Sequence, residues 1–171
     1  MQKREPDLQR LVEEVESLVP SPQQGLPEPV FGLLSRISPL VGVDLLIKNE
    51  DGGTLLTWRH DESYGPGWHV PGGIVRYKET ARHRVEEVAR LELGARVQID
   101  SKPITIEEFL RPDRNDRGHI VSILFGCRLM TSPDESLHFN PEAPQAGQWQ
   151  WHDHCPYNLI REQTPYRPFI L

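Results

Sequence analysis

The stretch Trp68-His69-Val70-Pro71-Gly72-Gly73-Ile74-Val75-Arg76-Tyr77-Lys78-Glu79-Thr80, continuing through Ala81 to Glu92-Leu93-Gly94, decides how the rest of the chain is read. Residues 68–70 are short and apolar enough for a strand, and the Gly72-Gly73 pair predicts a tight turn. Residues 80–93 predict a helix, because Ala81, Val85, Val88 and Ala89 fall on one helical stripe that Glu92 continues and Gly94 closes. Residues 96–99 return to β texture, so the segment is a strand-loop-helix-loop-strand unit.

Outward from this unit, residues 41–48 and 54–59 predict two strands joined by the hairpin turn Asn49-Glu50-Asp51-Gly52-Gly53. Downstream, residues 104–110 and 119–130 predict strands around the charged loop 111–118, and residues 148–152 a last strand before a terminal helix or coil. Strands in long mixed runs about one central helix predict an α+β fold, a mixed sheet between helical layers, rather than a doubly wound parallel one. At the N-terminus Leu8, Leu11, Val12, Val15, Leu18 and Val19 make one stripe on a helix over 7–19. Pro20-Ser21-Pro22 ends it, and a proline-rich connector leads to a second short helix around 30–36. The chain divides into an N-terminal helical arm and linker, 1–37, and a catalytic domain, 38–171. The arm's stripe requires a partner surface, its own core or a second subunit. We take the second, a homodimer through the arm.

Hydrophobic residues at 37% and charged residues at 26% describe an ordinary globular chain. No run approaches the roughly 18 apolar residues of a membrane span. The charged opening Met1-Gln2-Lys3-Arg4-Glu5 has no secretory core, which predicts a cytoplasmic protein. The net charge of −6 argues against nucleic-acid binding, which draws on massed Lys and Arg, so a phosphorylated ligand must be met by local cations. Cys127 lies in an apolar run and is expected as a buried free thiol, with no disulfide to Cys155.

The central stretch resembles the Nudix box. The family pattern is a Gly, five residues, a Glu, seven residues, then Arg-Glu-apolar-x-Glu-Glu-x-Gly, and Gly73, Glu79, Ala89, Glu92 and Gly94 fall in register with it. Glu87 replaces the family's Arg, while Val88 and Leu91 replace two of its carboxylates. This thinning is similar to the GDP-mannose mannosyl hydrolase branch, whose likeness extends to Asp44, Trp58-Arg59 and Gln145. The resemblance implies a Nudix-type α/β/α sandwich and a Mg²⁺-dependent hydrolase of a nucleotide sugar. It implies metal ligands at Glu92, the Gly72 carbonyl and the Gln145 side chain, a diphosphate contact at Arg59, and substrate binding that includes Asp44. Arg76, with Lys78, stands close enough to replace the Arg that Ile74 displaces; surface solvation is the alternative for both. Glu79 is read as a support of the loop.

Read from the residues alone, Glu92 on a core-facing stripe needs a cation or a hydrogen-bond partner. Arg90 or Arg96 could supply a simple ion pair instead. The branch's histidine base corresponds to Ala146, so a base must come from elsewhere: His119 is the first choice, beside Arg59 among the catalytic residues, with Asp113, Asp116, His152 and His154 behind it. His152-Asp153-His154-Cys155 lacks the separated ligand pairs of a zinc site. Trp58, Trp68, Tyr64 and Tyr77 either stack on a base or pack the loops. A second function class stays open beside the hydrolase, a Nudix-fold module that binds a nucleotide sugar without turnover.

Overall fold

A computed structural model of the protein describes residues 5–61 and 64–170; the charged residues 1–4 that carried the expectation on location lie outside them. The arm comprises α1 (Glu5–Ser17) and α2 (Glu28–Ile37), separated by a 3-10 turn over Pro22–Gln24. None of the residues of α1 is buried, so Leu8, Leu11 and Leu18 of the predicted stripe face solvent. Among the described residues no helix is long and apolar enough to cross a membrane.

The sheet follows: β1 (Leu40–Lys48), β2 (Thr54–Arg59), β3 (Gly67–His69), β4 (Gly72–Ile74), then α3 (Ala81–Leu93), β5 (Val97–Leu110), β6 (His119–Leu129) and β7 (Trp149–His152). The strand order is β3-β2-β1-β6-β5, with β4 added to β1 and β7 to β2. Strands β1 and β6 run parallel and the other pairs antiparallel, so the sheet is mixed and the class α+β, as expected.

Alternation along β1 divides the core. Val43, Leu45 and Ile47 face α3 and pack with Leu55, Val85, Val88, Ala89 and Leu93. Leu46 faces the other way, toward Leu56, Trp68, Val70, Leu124 and Tyr166. Each fully buried leucine contributes on the order of 1.5–3 kcal/mol. The second face is covered by a C-terminal 3-10 segment, Arg161–Phe169, in the place left as helix or coil. Helix α3 starts under Thr80, whose side chain accepts from the His83 amide at 3.1 Å, and stops at Gly94, whose left-handed φ of 61° breaks the helical ladder.

Two elements differ from the sequence reading. The strands expected over 96–99 and 104–110 are one strand, β5, with register shifts around Pro103. Proline is tolerated there because β5 is at the sheet edge and the ladder is already irregular. The Gly72-Gly73 turn is instead the strand β4, with Gly72 opposite Asp44 and Gly73 opposite Val43. A Cβ on Gly72 would collide with the Asp44 carboxylate, so glycine is what lets the two backbones pair.

Candidate active site

Strands β1 and β4 bring Asp44 and Gly72 side by side, and the end of α3 brings Glu92 to the same region. Two cavities open here. One, of about 440 Å³, is lined by Glu92, Gly72, Arg59, His69 and Ala146. The other, of about 220 Å³, lies on the far side of Gly72 and is lined by Asp44, Ser122, Gln163 and apolar side chains. Arg59, His69 and Gly72 line both, so the cavities adjoin at these residues.

Glu92 is half-buried and, among the described residues, makes no hydrogen bond or ion pair; Arg90, which with Arg96 was the alternative to a cation, pairs with Glu87 at 2.9 Å. Desolvation, then the negative charge of Asp44, pushes the Glu92 carboxyl up to about 8, against the pull of Arg59. Asp44 is buried and pushed up to about 6 by desolvation. It is held in place by the hydroxyls of Ser122 (2.5 Å) and Tyr166 (2.8 Å) and by the Gln163 amide (3.3 Å). The same Gln163 clamps the Val70 backbone on both sides, accepting from its N–H at 2.6 Å and donating to its carbonyl at 3.1 Å. The C-terminal segment thus fixes both Asp44 and the backbone at Val70 that leads into β4.

Arg59 ends β2, is paired with the Asp61 carboxylate and lies over the Tyr64 ring at 4.4 Å. Its charge reaches both Asp44 and Glu92. The site therefore gathers two carboxyls that repel each other around one guanidinium, an arrangement short of positive charge. Such a site fits a divalent cation with hard oxygen donors. Among the described residues no group of three or more His, Cys, Asp or Glu could hold a metal, so a cation here depends on Glu92, carbonyl oxygens and the ligand's own oxygens.

The loop before β7 closes the larger cavity. Trp58 donates its amide to the Gln148 carbonyl at 2.6 Å and accepts from the Gly147 amide at 2.8 Å, which holds Ala146 beside Arg59. Gln145 sits on this loop with its amide bonded to the Gln148 side chain at 2.9 Å; its own side chain is exposed and outside the lining. His119 hydrogen-bonds Glu108 at 2.8 Å across the β5–β6 hairpin and lines neither cavity. Arg76 turns outward, its guanidinium 3.5 Å from the Gln23 carbonyl of the connector. Lys78 lies 5.2 Å from the Tyr77 ring. Trp58 and Trp68, paired across β2 and β3, pack edge-on at 5.2 Å against each other, and Trp58 also lines the larger cavity.

Three features escaped the sequence reading. Arg84, buried on the inner side of α3, makes two 2.8 Å bonds to Glu79. Burial alone would raise the Glu79 carboxyl, but Arg84 and the Arg76 amide hold it below its ordinary range. This pair replaces the box arginine missing at Glu87, from nearly a turn earlier. The signal was available, since Arg84 stands between Ala81 and Val88 on the apolar stripe. His69 is the second: desolvation, helped by Arg59, pushes its imidazole down to about 4, so it is neutral at ordinary pH. Its Nδ1 lies 2.9 Å from the Thr57 carbonyl and so carries the proton, which leaves Nε2 as the acceptor, 3.3 Å from the Thr57 hydroxyl. The third, the Gln163–Tyr166 clamp on Asp44, bridges 119 and 122 residues of sequence and has no local signal.

The NUDIX domain family matches residues 38–170, which take in the paired glycines of β4, the capped helix α3 and Glu92 at its end, and the chain belongs to that family. The low-salt glycan biosynthesis protein Agl8 of Haloferax volcanii is 40% identical over 88 residues, 52% of this chain and 56% of that one. An ADP-ribose pyrophosphatase of Methanocaldococcus jannaschii is 32% identical over 89 residues, 52% of this chain and 50% of its own. The chain thus spans about half the length of the curated relatives it matches. Among solved structures, a MutT Nudix hydrolase of Burkholderia pseudomallei superposes with a TM-score of 0.60 at 20% identity, over 78% of this chain and 99% of that one; this is a likeness of fold.

Proposed function

We propose that the chain is a Mg²⁺-dependent hydrolase of a nucleoside diphosphate sugar, GDP-mannose-like, that releases the sugar and the nucleoside diphosphate. The observation that carries the reading is the unpartnered carboxyl of Glu92, held with Arg59 and Gly72 in one cavity that shares Arg59 with a second. The names of the relatives agree in direction, since one belongs to glycan biosynthesis and ADP-ribose is itself a nucleoside diphosphate carrying a sugar. Glu92, the Gly72 carbonyl and, after a turn of its exposed side chain, Gln145 would hold the cation. Magnesium would supply neutralisation of diphosphate charge as the leaving group departs.

Arg59 binds the diphosphate from the protein side. Water attacks the anomeric carbon, the bond to the β-phosphate oxygen breaks, and the water's proton passes to Nε2 of His69, the neutral imidazole within the site. His69 takes this role because Ala146 accepts no proton and His119 lines neither cavity; the negative charge of the bound diphosphate would raise the basicity that burial and Arg59 depress. His69→Ala is expected to lower kcat by about 10²–10⁴-fold with KM little changed. Wild-type kcat in that variant, measured by sugar release with magnesium and with chelator, removes His69 from the reaction.

The same site sets a pH dependence. Glu92 titrates near 8 in the folded, metal-free protein against an ordinary 4.5, so the folded state holds the extra proton between those values. Stability of the metal-free protein therefore falls as pH rises through that window, and Glu92→Gln abolishes this part of the fall. Melts in chelator near pH 5 and near pH 8 are expected to show the variant gaining on the order of 2 kcal/mol over wild type at the higher pH. Parallel curves would place Glu92 in an ordinary solvated setting.

A non-catalytic binding module is the second reading. It is favoured by Val88, buried in the core where the family has a carboxylate, by Leu91, and by Ala146 at the cavity wall. Ligand retained without product in the sugar-release assay would select it.

A further inference from the structure

The smaller cavity has the chemistry of a different ligand moiety from the larger one. Its lining includes Leu40, Ile74, Phe109, Ile120 and Ile160. It also takes in the polar Asp44, Ser122 and Gln163 and the charged Arg59, Arg117 and Glu162. Apolar faces with a few polar groups at one edge suit a flat heteroaromatic ring, and suit a sugar poorly.

The outer wall comes from the arm. Phe31 of α2 lines the cavity, and Arg117 of the β5–β6 hairpin, which also lines it, lies over the Phe31 ring at 4.9 Å while bonding Glu28 at 3.0 Å. The same hairpin ties Arg111 to Glu162 of the C-terminal segment and lays Arg114 over Tyr64 at 4.7 Å. Val30 of α2 is half-buried, whereas Leu33, Leu34 and Ile37 are exposed. The arm thus meets the domain at the mouth of this cavity through Phe31 and Glu28.

We propose that Phe31, clasped by Arg117, is the arm's contribution to a nucleobase pocket, and that it sets base affinity without taking part in the reaction. The assignment rests on the nucleotide-sugar reading only for the identity of the ligand. The base would lie between Phe31 and the sheet, and the diphosphate would cross Arg59 toward the Glu92 cavity.

Methyl NMR of the full chain in chelator, titrated with ADP, GDP and UDP and separately with inorganic pyrophosphate, tests this without any turnover. The expected result is that nucleoside diphosphates shift the methyls of Ile74, Ile120 and Ile160, and that pyrophosphate does not. Phe31→Ala is expected to weaken the nucleoside diphosphate about 3- to 10-fold, with pyrophosphate affinity unchanged and Phe31→Tyr close to wild type. Shifts that are the same for pyrophosphate, shifts confined to Leu137 and Ala146 of the other cavity, or no binding at all would overturn the proposal. So would a folded Phe31→Ala with wild-type affinity. The wild-type titration decides the pocket even if that variant fails to fold. Selective Ile shifts in a protein that releases no sugar would support the pocket and count against the hydrolase.

Discussion

Glu92→Gln is expected to reduce magnesium-dependent sugar release by more than about 100-fold. Loss of a group that merely supports a metal ligand typically costs about 10–100-fold, so loss of the one carboxylate ligand costs at least the upper end of that range. The substitution keeps the shape of the side chain and removes the charge that burial and Asp44 already disfavour, so the folded protein should not suffer. Loss of activity can then be read as loss of the site. The effect should appear with the metal saturating and be accompanied by a weaker apparent affinity for Mg²⁺. Full activity in the variant, measured across a magnesium titration, would mean that the cation is held elsewhere.

The second large effect is structural. Arg84→Ala should destabilise the protein by about 3 kcal/mol, the lower end for breaking a buried pair, because the Glu79 carboxylate would keep only the Arg76 amide and His83 at 4.0 Å. At this chain length about 2–4 °C is lost per kcal/mol, so the midpoint should fall by roughly 10 °C. The double variant Glu79→Gln, Arg84→Met removes both charges and should recover much of the loss. A small effect of Arg84→Ala in thermal melts would show that the pair is no more than a surface bridge. The pair also accounts for the loop between β4 and α3, since Glu79 accepts the Arg76 amide at 2.9 Å while holding Arg84. A box lacking its usual arginine is thereby still pinned at the same glutamate.

Local periodicity made part of this molecule legible. The alternation of β1, the turn at Asn49, the stripe of α3 and its glycine stop are each fixed within a few residues of themselves, and they fell where the pattern put them. The strand at Gly72–Ile74 was not legible, because two glycines read as a turn until Asp44 is known to lie opposite. The continuity of β5 through Pro103 depends on its being an edge strand, which is a property of the sheet rather than of the segment.

The site divides the same way. Glu92, Gly72 and Arg59 share a cavity because the box motif encodes a local unit and β2 pairs beside it. His119 was chosen by its position after a charged loop, and the cross-strand Glu108 that occupies it is visible only once β5 and β6 are paired in register. Arg76 was placed by proximity in sequence, whereas its direction is set by the connector it touches at Gln23. His69 was quoted within the motif without a role, and its significance comes from burial against Thr57 and Arg59.

The central claim is best tested by incubating the purified chain with a panel of nucleoside diphosphate sugars in water enriched in heavy oxygen, with magnesium and with chelator, and weighing the products. The account predicts turnover with magnesium only, with the heavy oxygen in the released sugar. Ligand that stays bound and intact with magnesium present would contradict it.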